Sequence, residues 1–278
     1  MKVIYDQVSV NISKKITRTY STSFSLGIYF LSARIREDIY AIYGYVRLAD
    51  EIVDSFCGFD RATLLDKFKR DTHEAIASGI SCNPVIHAFQ QVVRKYKIDH
   101  YLIDTFLDSM YMDLEKVEYT VEKYRQYILG SAEIVGLMCL QVFTEGDVQR
   151  YEALKPYAMK LGAAFQKVNF LRDVRDDYYT LGRTYFPDLQ MEAFSPEAKI
   201  RIEEEIEKDF EAALEGIKQL PDTCKGGVYL AYFYYRSLFK KIRKLSPQRI
   251  LHERVRINNG KKFVLLLNSF FNVKMNWV

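Results

Sequence analysis

Strand signals are nearly missing from this chain. No alternating apolar–polar run is flanked by the Asn-Gly or Asp-Gly pairs that close a hairpin, which argues against a β architecture. Proline is scarce, at six residues in 278, so few points force a helix to stop. The four cysteines (Cys57, Cys82, Cys139, Cys224) and the four histidines (His73, His87, His100, His252) stand far apart. None shows the spacing of a zinc site, and the thiols read as free in a reducing compartment. An excess of one charge is lacking too. Forty basic residues against 36 acidic ones leave a formal +4, with the two signs interspersed, so no nucleic-acid partner is expected. No run of about 18 apolar residues occurs, so no membrane span is expected. The mixed start, Met1-Lys2-Val3-Ile4-Tyr5-Asp6, gives no sign of a secretory leader.

Helix punctuation takes the place of strand signals. Asp60 precedes a helical stretch that stops at Gly79. Asn83-Pro84 sets a cap and an N1 proline before a helix running to Lys97. Asp99 opens a helix to about Lys116, and Thr120 opens another to about Phe143. Ser195-Pro196-Glu197 repeats the cap-plus-proline signal ahead of an amphipathic helix ending near Leu220. Two segments, about 33–55 and 156–180, run long without a stop signal. No low-complexity linker or short repeat divides the chain, so residues 1–278 are read as one domain, an all-α helical bundle. The tail from Lys261 to Val278 is expected to pack on the core as a last helix, or else to rest on a bilayer. The 21 tyrosines and 18 phenylalanines suit a greasy ligand as well as a large core.

The two long segments carry the chemistry. Residues three and four apart share a helix face, so Tyr43, Arg47, Asp50 and Asp54 form one stripe on the first. On the second, Gln166, Asn169, Asp173 and Asp177 share a face by the same arithmetic. Four polar groups in line on a helix rich in Ala, Phe, Val and Leu are costly to bury without partners. Like charges at this spacing repel, and magnesium reverses the sign of that problem. It takes oxygen ligands and commonly bridges one or two carboxylates to substrate phosphates. A third pair, Asp104 and Asp108, lacks such polar company and sits where acids favour a helix N-terminus.

With these stripes go further segments, and together they resemble the squalene/phytoene synthase family over almost the whole chain. Tyr20-Ser21-Thr22-Ser23-Phe24 is similar to its serine-rich substrate segment. Arg47-Leu-Ala-Asp50-Glu-Ile-Val-Asp54 resembles its first acidic motif, and Gln166-x-x-Asn169-Phe-Leu-Arg172-Asp173-x-x-x-Asp177 its second. Tyr127-Ile-Leu-Gly130 and Gly182-Arg183-Thr184-Tyr185-Phe186-Pro187 resemble the segments after each. Many members have a histidine near position 20 and a basic residue near 22, where this chain has Tyr20 and Thr22.

The resemblance implies an isoprenoid-synthase helical bundle around a central cavity, with the two acidic helices facing each other. It implies that Asp50, Asp54, Asp173 and Asp177, supported by Asn169 and Gln166, hold magnesium (manganese can substitute) and diphosphate. Arg47, Arg183 and, more loosely, Arg254 are implied as diphosphate contacts. Tyr127 and Tyr185 are implied to line the cavity near the reacting carbons, and Ser21, Ser23 and Phe24 to flank a head group, with Tyr43 as a further aromatic face. The implied activity joins two prenyl diphosphates head to head through a cyclopropyl carbinyl diphosphate. Two C20 substrates give phytoene and two C15 substrates dehydrosqualene, whereas squalene needs NADPH. Ser25-Leu26-Gly27-Ile28 offers no bulky aromatic before Tyr29, which favours the C20 reaction. Some proteins resembling the family serve instead as non-catalytic assembly factors, and both acidic motifs being intact speaks against that. A cytoplasmic enzyme is expected, with peripheral contact at the inner membrane surface for product release.

Overall fold

The computed structural model describes residues 1–114, 119–177, 185–187 and 194–252. Among these, the secondary structure is helical throughout, as the missing strand signals require. The order is α1 (Lys2–Tyr20), α2 (Thr22–Tyr29), α3 (Ala33–Asp54), α4 (Arg61–Ser78), α5 (Pro84–Tyr96), α6 (His100–Met112), α7 (Val121–Ile128), a π turn (Leu129–Glu133), α8 (Ile134–Thr144), α9 (Val148–Asp176), α10 (Pro196–Gln219), α11 (Asp222–Arg243) and α12 (Pro247–His252).

Side-chain caps start most of these helices. Asp60 accepts from the Thr63 amide at 3.0 Å, Asn83 from Val85 at 3.0 Å, Asp99 from Tyr101 at 2.9 Å and Ser195 from Ala198 at 3.1 Å. Each such cap is worth about 1 kcal/mol. At the other end of α4, Gly79 adopts φ +78°, which closes that helix in a left-handed turn.

Three expectations need correction. The helix opened by Asp99 ends at Met112, with Asp113 as its C-cap, rather than running to Lys116. Pro156 lies inside α9, which starts eight residues earlier at Val148 under an Asp147 cap. The ring removes one helical hydrogen bond, and flanking turns and packing carry the helix past it. The stretch from Thr120 is interrupted by the π turn, where helices commonly widen near functional sites.

Packing is close where side chains are small. A Cβ on Gly44 of α3 would meet Ser13 of α1 at 2.7 Å, so the two helices approach through a glycine–serine seam. Tyr45, beside it, stacks on Phe89 of α5 with ring centroids 3.8 Å apart. The π turn is held from two sides. Gly130 abuts Ser109 and Thr105 of α6, and Gly162 of α9 abuts Ala132. The continuous segment Val121–Thr144 is long and apolar enough to cross a membrane, contrary to the expectation of no such segment. Half of its apolar window is buried inside the bundle. The tail from Lys261 to Val278 lies outside the described residues.

Candidate active site

A cavity of about 300 Å³ runs through the bundle. Its upper wall carries Tyr43 and Val46 of α3 on one side and Gln166 and Asn169 of α9 on the other. Down α9 the lining continues to Leu154, a depth of about 22 Å at 1.5 Å per residue. Below the rim the wall is apolar, with Gly136 and Cys139 of α8 and Ile217 of α10 among its residues.

Of the α3 stripe, Tyr43 lines the cavity, whereas Arg47, Asp50 and Asp54 are not among its lining residues, nor are Arg172, Asp173 and Asp177 of α9. The Arg47 guanidinium donates to the carboxylates of Asp50 and Glu51 and lies over the Tyr20 ring, 4.4 Å from its centroid. Tyr20 thus packs its ring face against the Arg47 guanidinium. Burial pushes the Asp50 carboxyl up to about 7; Arg47 opposes this, while Asp54, Asp113 and Glu51 add to it. The Tyr43 phenol is likewise raised by burial, and its surroundings include Ser21, Arg47, Asp50 and Arg172. The last of these comes from the other acidic helix.

On α9, Arg172 grips Asp173 through Nε (3.0 and 3.1 Å) and a second guanidinium nitrogen. Asn169 donates to Gln166 at 3.4 Å and accepts from the Tyr235 hydroxyl of α11 at 3.2 Å. Asp177 caps the C-terminus of α9. Phe24 of α2 sits in an aromatic ring at the mouth, 5.5 Å from Tyr43, 6.2 Å from Phe165 and 5.9 Å from Tyr235. Ser21 serves first as the N-cap of α2, accepting from the Phe24 amide at 3.2 Å. Ser23 is partly buried on α2 and is not among the residues lining the cavity.

Two expected wall residues sit elsewhere. Tyr127 and Tyr185 do not line this cavity. Both are buried, and their hydroxyls donate to Asp113, at 2.7 Å from Tyr127 and 3.2 Å from Tyr185. A buried phenol needs an acceptor, and the carboxylate at the end of α6 supplies it. Arg183 and Arg254 lie outside the described residues. Asp113, Arg172 and Tyr235 went unremarked as site residues in the sequence. Arg172 stands beside an acidic motif position and could have been flagged. Tyr235 and Asp113 gain their place only through the fold.

The donor set suits a hard divalent cation. It offers carboxylate and amide oxygens, and the crowding of negative charge that raises Asp50 is what a cation relieves. Among the described residues no three acidic, histidine or cysteine side chains converge to hold a metal by themselves. Magnesium at Asp50 and Asp54, or at Asn169, Asp173 and Asp177, would draw its remaining oxygens from phosphate and water, as it commonly does.

The architecture is that of the isoprenoid-synthase fold. A solved dehydrosqualene synthase superposes with a TM-score of 0.83 at 23% identity, covering 97% of this chain and 98% of that one. Residues 17–261 match the squalene/phytoene synthase family, and the chain belongs to it. It is similar to the 15-cis-phytoene synthase of a Paracoccus species, 27% identical with 88% of this chain and 86% of that protein covered. It is also similar to the 4,4'-diapophytoene synthase of Staphylococcus haemolyticus, 24% identical with 91% and 93% covered.

Proposed function

We propose that the protein condenses two prenyl diphosphates head to head, with two geranylgeranyl diphosphates going to phytoene. The observation that carries this reading is an apolar cavity walled in part by α3 and α9, the same two helices that bear the Arg47–Asp50 and Arg172–Asp173 pairs. The greasy tails fit the cavity, and the diphosphates fit the rim. Gly27 and Ile28 are part of the wall, and the lack of a bulky aromatic there favours the longer C20 tails.

Arg47 and Arg172 present guanidinium groups to diphosphate oxygens, exchanging their carboxylate partners for substrate. When bound beside the acidic stripes, magnesium supplies charge neutralisation to the leaving diphosphate. An allylic cation in the cavity lies against the faces of Phe24, Tyr43 and Phe165, which attract it by cation–π interaction. The double bond of the second substrate attacks, and proton loss leaves a cyclopropyl carbinyl diphosphate. A second ionisation, rearrangement and proton loss complete the product. The apolar wall keeps water from the cation throughout.

A C15 reading is favoured by the similarity to a diapophytoene synthase. One assay decides. Purified protein is supplied with magnesium and C15 or C20 diphosphate, with and without NADPH, and the hydrocarbon is identified. Phytoene from the C20 substrate without NADPH is the expected result. A product formed only with NADPH, or only from the C15 substrate, overturns the phytoene reading. No turnover of either substrate overturns the enzyme reading in favour of a non-catalytic assembly factor.

A further inference from the structure

Asp113 is an acid in an unfavourable place. It caps the C-terminal end of α6, where the helix dipole opposes negative charge, and it is only 4% exposed. Its two carboxylate oxygens accept from two phenols that reach it from different parts of the chain. Oδ2 takes the Tyr127 hydroxyl of α7 at 2.7 Å, and Oδ1 takes the Tyr185 hydroxyl at 3.2 Å. Tyr185 belongs to the segment that follows the second acidic helix. The tyrosine rings are themselves 5.1 Å apart, and Tyr185 stacks on Phe170 of α9 at 4.2 Å. Burial and the neighbouring Asp113 hold the Tyr127 phenol far above its ordinary pKa, so it stays a proton donor. The charge of Asp113 also bears on Asp50, the first carboxylate of the α3 stripe.

One carboxylate therefore ties α6, α7 and the segment beyond α9 together at the edge of the α3 acid cluster. A plain structural tie would be cheaper with a neutral partner, since a buried negative group at a helix C-terminus carries a desolvation cost. We infer that Asp113 is a positioning residue of the reaction: it fixes the phenols of Tyr127 and Tyr185 in one orientation beside the first acidic helix. This inference rests on the prenyl-condensation reading above.

The test is Asp113→Asn in the full chain, assayed with magnesium and the accepted prenyl diphosphate. The expected result is a kcat loss of about tenfold or more with KM changed less than about threefold, as for an interaction that matters in the transition state. The helical signal and thermal midpoint should stay near the parent's. Cyclopropyl carbinyl diphosphate accumulation is measured alongside. In a Tyr127→Phe/Tyr185→Phe background, which deletes both hydroxyls and keeps the rings, Asp113→Asn should lower kcat no further, because the carboxylate acts through those hydroxyls. Parental kcat in a folded Asp113→Asn enzyme overturns the inference alone. So does a full additional loss in the double-phenylalanine background. If Asp113→Asn does not fold, Tyr127→Phe and Tyr185→Phe are assayed singly, and parental kcat in both overturns the inference. A parent protein without turnover overturns the underlying reading and the inference with it.

Discussion

Lys167 and Asp209 form an ion pair between α9 and α10 that is almost sealed from solvent, Nζ to Oδ2 2.6 Å, with residues 5% and 2% exposed. Lys167 also meets Glu205, and Asp209 accepts from Lys160 at 2.8 Å. Lys167 lies between Gln166 and the cavity-facing Asn169, yet it points the other way, into the α9–α10 seam. The pair thus fixes the rotation of α9 and keeps its polar stripe turned to the cavity.

Removing one partner should show this. Asp209→Ala leaves the buried Lys167 ammonium with only the more exposed Glu205 as partner, and losing the sealed half of the pair costs about 1 to 3 kcal/mol. The unfolding free energy from urea titration should fall by that amount, read as a lower midpoint at unchanged slope. Replacing both, Lys167→Met with Asp209→Leu, should recover most of the loss, since an apolar pair of similar volume carries no stranded charge. A midpoint unmoved in Asp209→Ala would show that the pair is solvated.

Asp50 gives a pH signature. Its carboxyl is raised to about 7 in the fold from an ordinary 3.8, with burial as the leading cause. Between about pH 4 and pH 7 the folded protein therefore binds more protons than the unfolded chain, and stability falls as pH rises through that window. Asp50→Asn should remove the slope and leave metal-free protein more stable than the parent near pH 7.5, by about 1 to 2 kcal/mol once screening at the partly exposed side chain is allowed for. The same change should abolish turnover, as should Asp173→Ala, with the helical circular-dichroism signal intact. Thermal midpoints of both proteins from pH 5 to 8 check the first claim. An identical slope in the two proteins contradicts it.

Five helix starts were legible because a side chain announces them. Asp60, Asn83, Asp99, Thr120 and Ser195 each accept a bond from the first turn, and each was readable as a cap. Among helices without such a cap, α3 was legible from its long uninterrupted segment, whereas α1 and α11 left no mark. Neither α1 nor α11 has a side-chain cap at its start. The buried seam of α1 is built from Ser9, Ser13 and Thr17, which hides its inward face from any apolar-periodicity reading. Ser9 and Thr17 bond back to backbone carbonyls at 2.8 Å, while the Ser13 hydroxyl, against the Gly44 seam, is buried without a partner. Both acidic stripes were visible because i to i+4 spacing is local. The Asp113–Tyr127–Tyr185 group was not, because it joins residues 14 and 72 positions apart. Only the folded bundle brings them to one point.

Cys139 offers a test of tail length. It lines the cavity midway along α8, and burial pushes its thiol up to about 12, so it serves there as a small uncharged wall residue. Cys139→Phe fills the space that a long tail would use. The variant should lose about tenfold or more in kcat/KM for the C20 substrate while retaining more of its activity on the C15 substrate, as expected when a bulky group shortens a fitted pocket. Competition between the two diphosphates, followed by product analysis, reads the ratio directly. An unchanged ratio would place the tails away from α8.

Gly130 tests how the π turn serves the site. A Cβ there would meet the Ser109 Cβ at 2.5 Å and the Thr105 carbonyl oxygen at 2.6 Å, and neither can move cheaply because Ser109 is buried and the carbonyl is helix backbone. Alanine is otherwise the better helix former by about 1 kcal/mol, so a purely local view expects Gly130→Ala to stabilise. Close packing predicts the reverse. The turn must back away from α6, with a cost of about 1 to 3 kcal/mol, the usual range for overpacking. Tyr127 lies three residues earlier, and its bond to Asp113 on the same helix should loosen with that shift. A lowered thermal midpoint together with reduced kcat is therefore expected. Gly58→Ala serves as the control, since nothing lies within 4 Å of its Cβ position and only its φ of +92° opposes the change. It should lower the midpoint slightly and leave kcat unchanged. If Gly130→Ala instead behaves like Gly58→Ala in both measurements, the close approach of the π turn to α6 is not what holds Tyr127 in place.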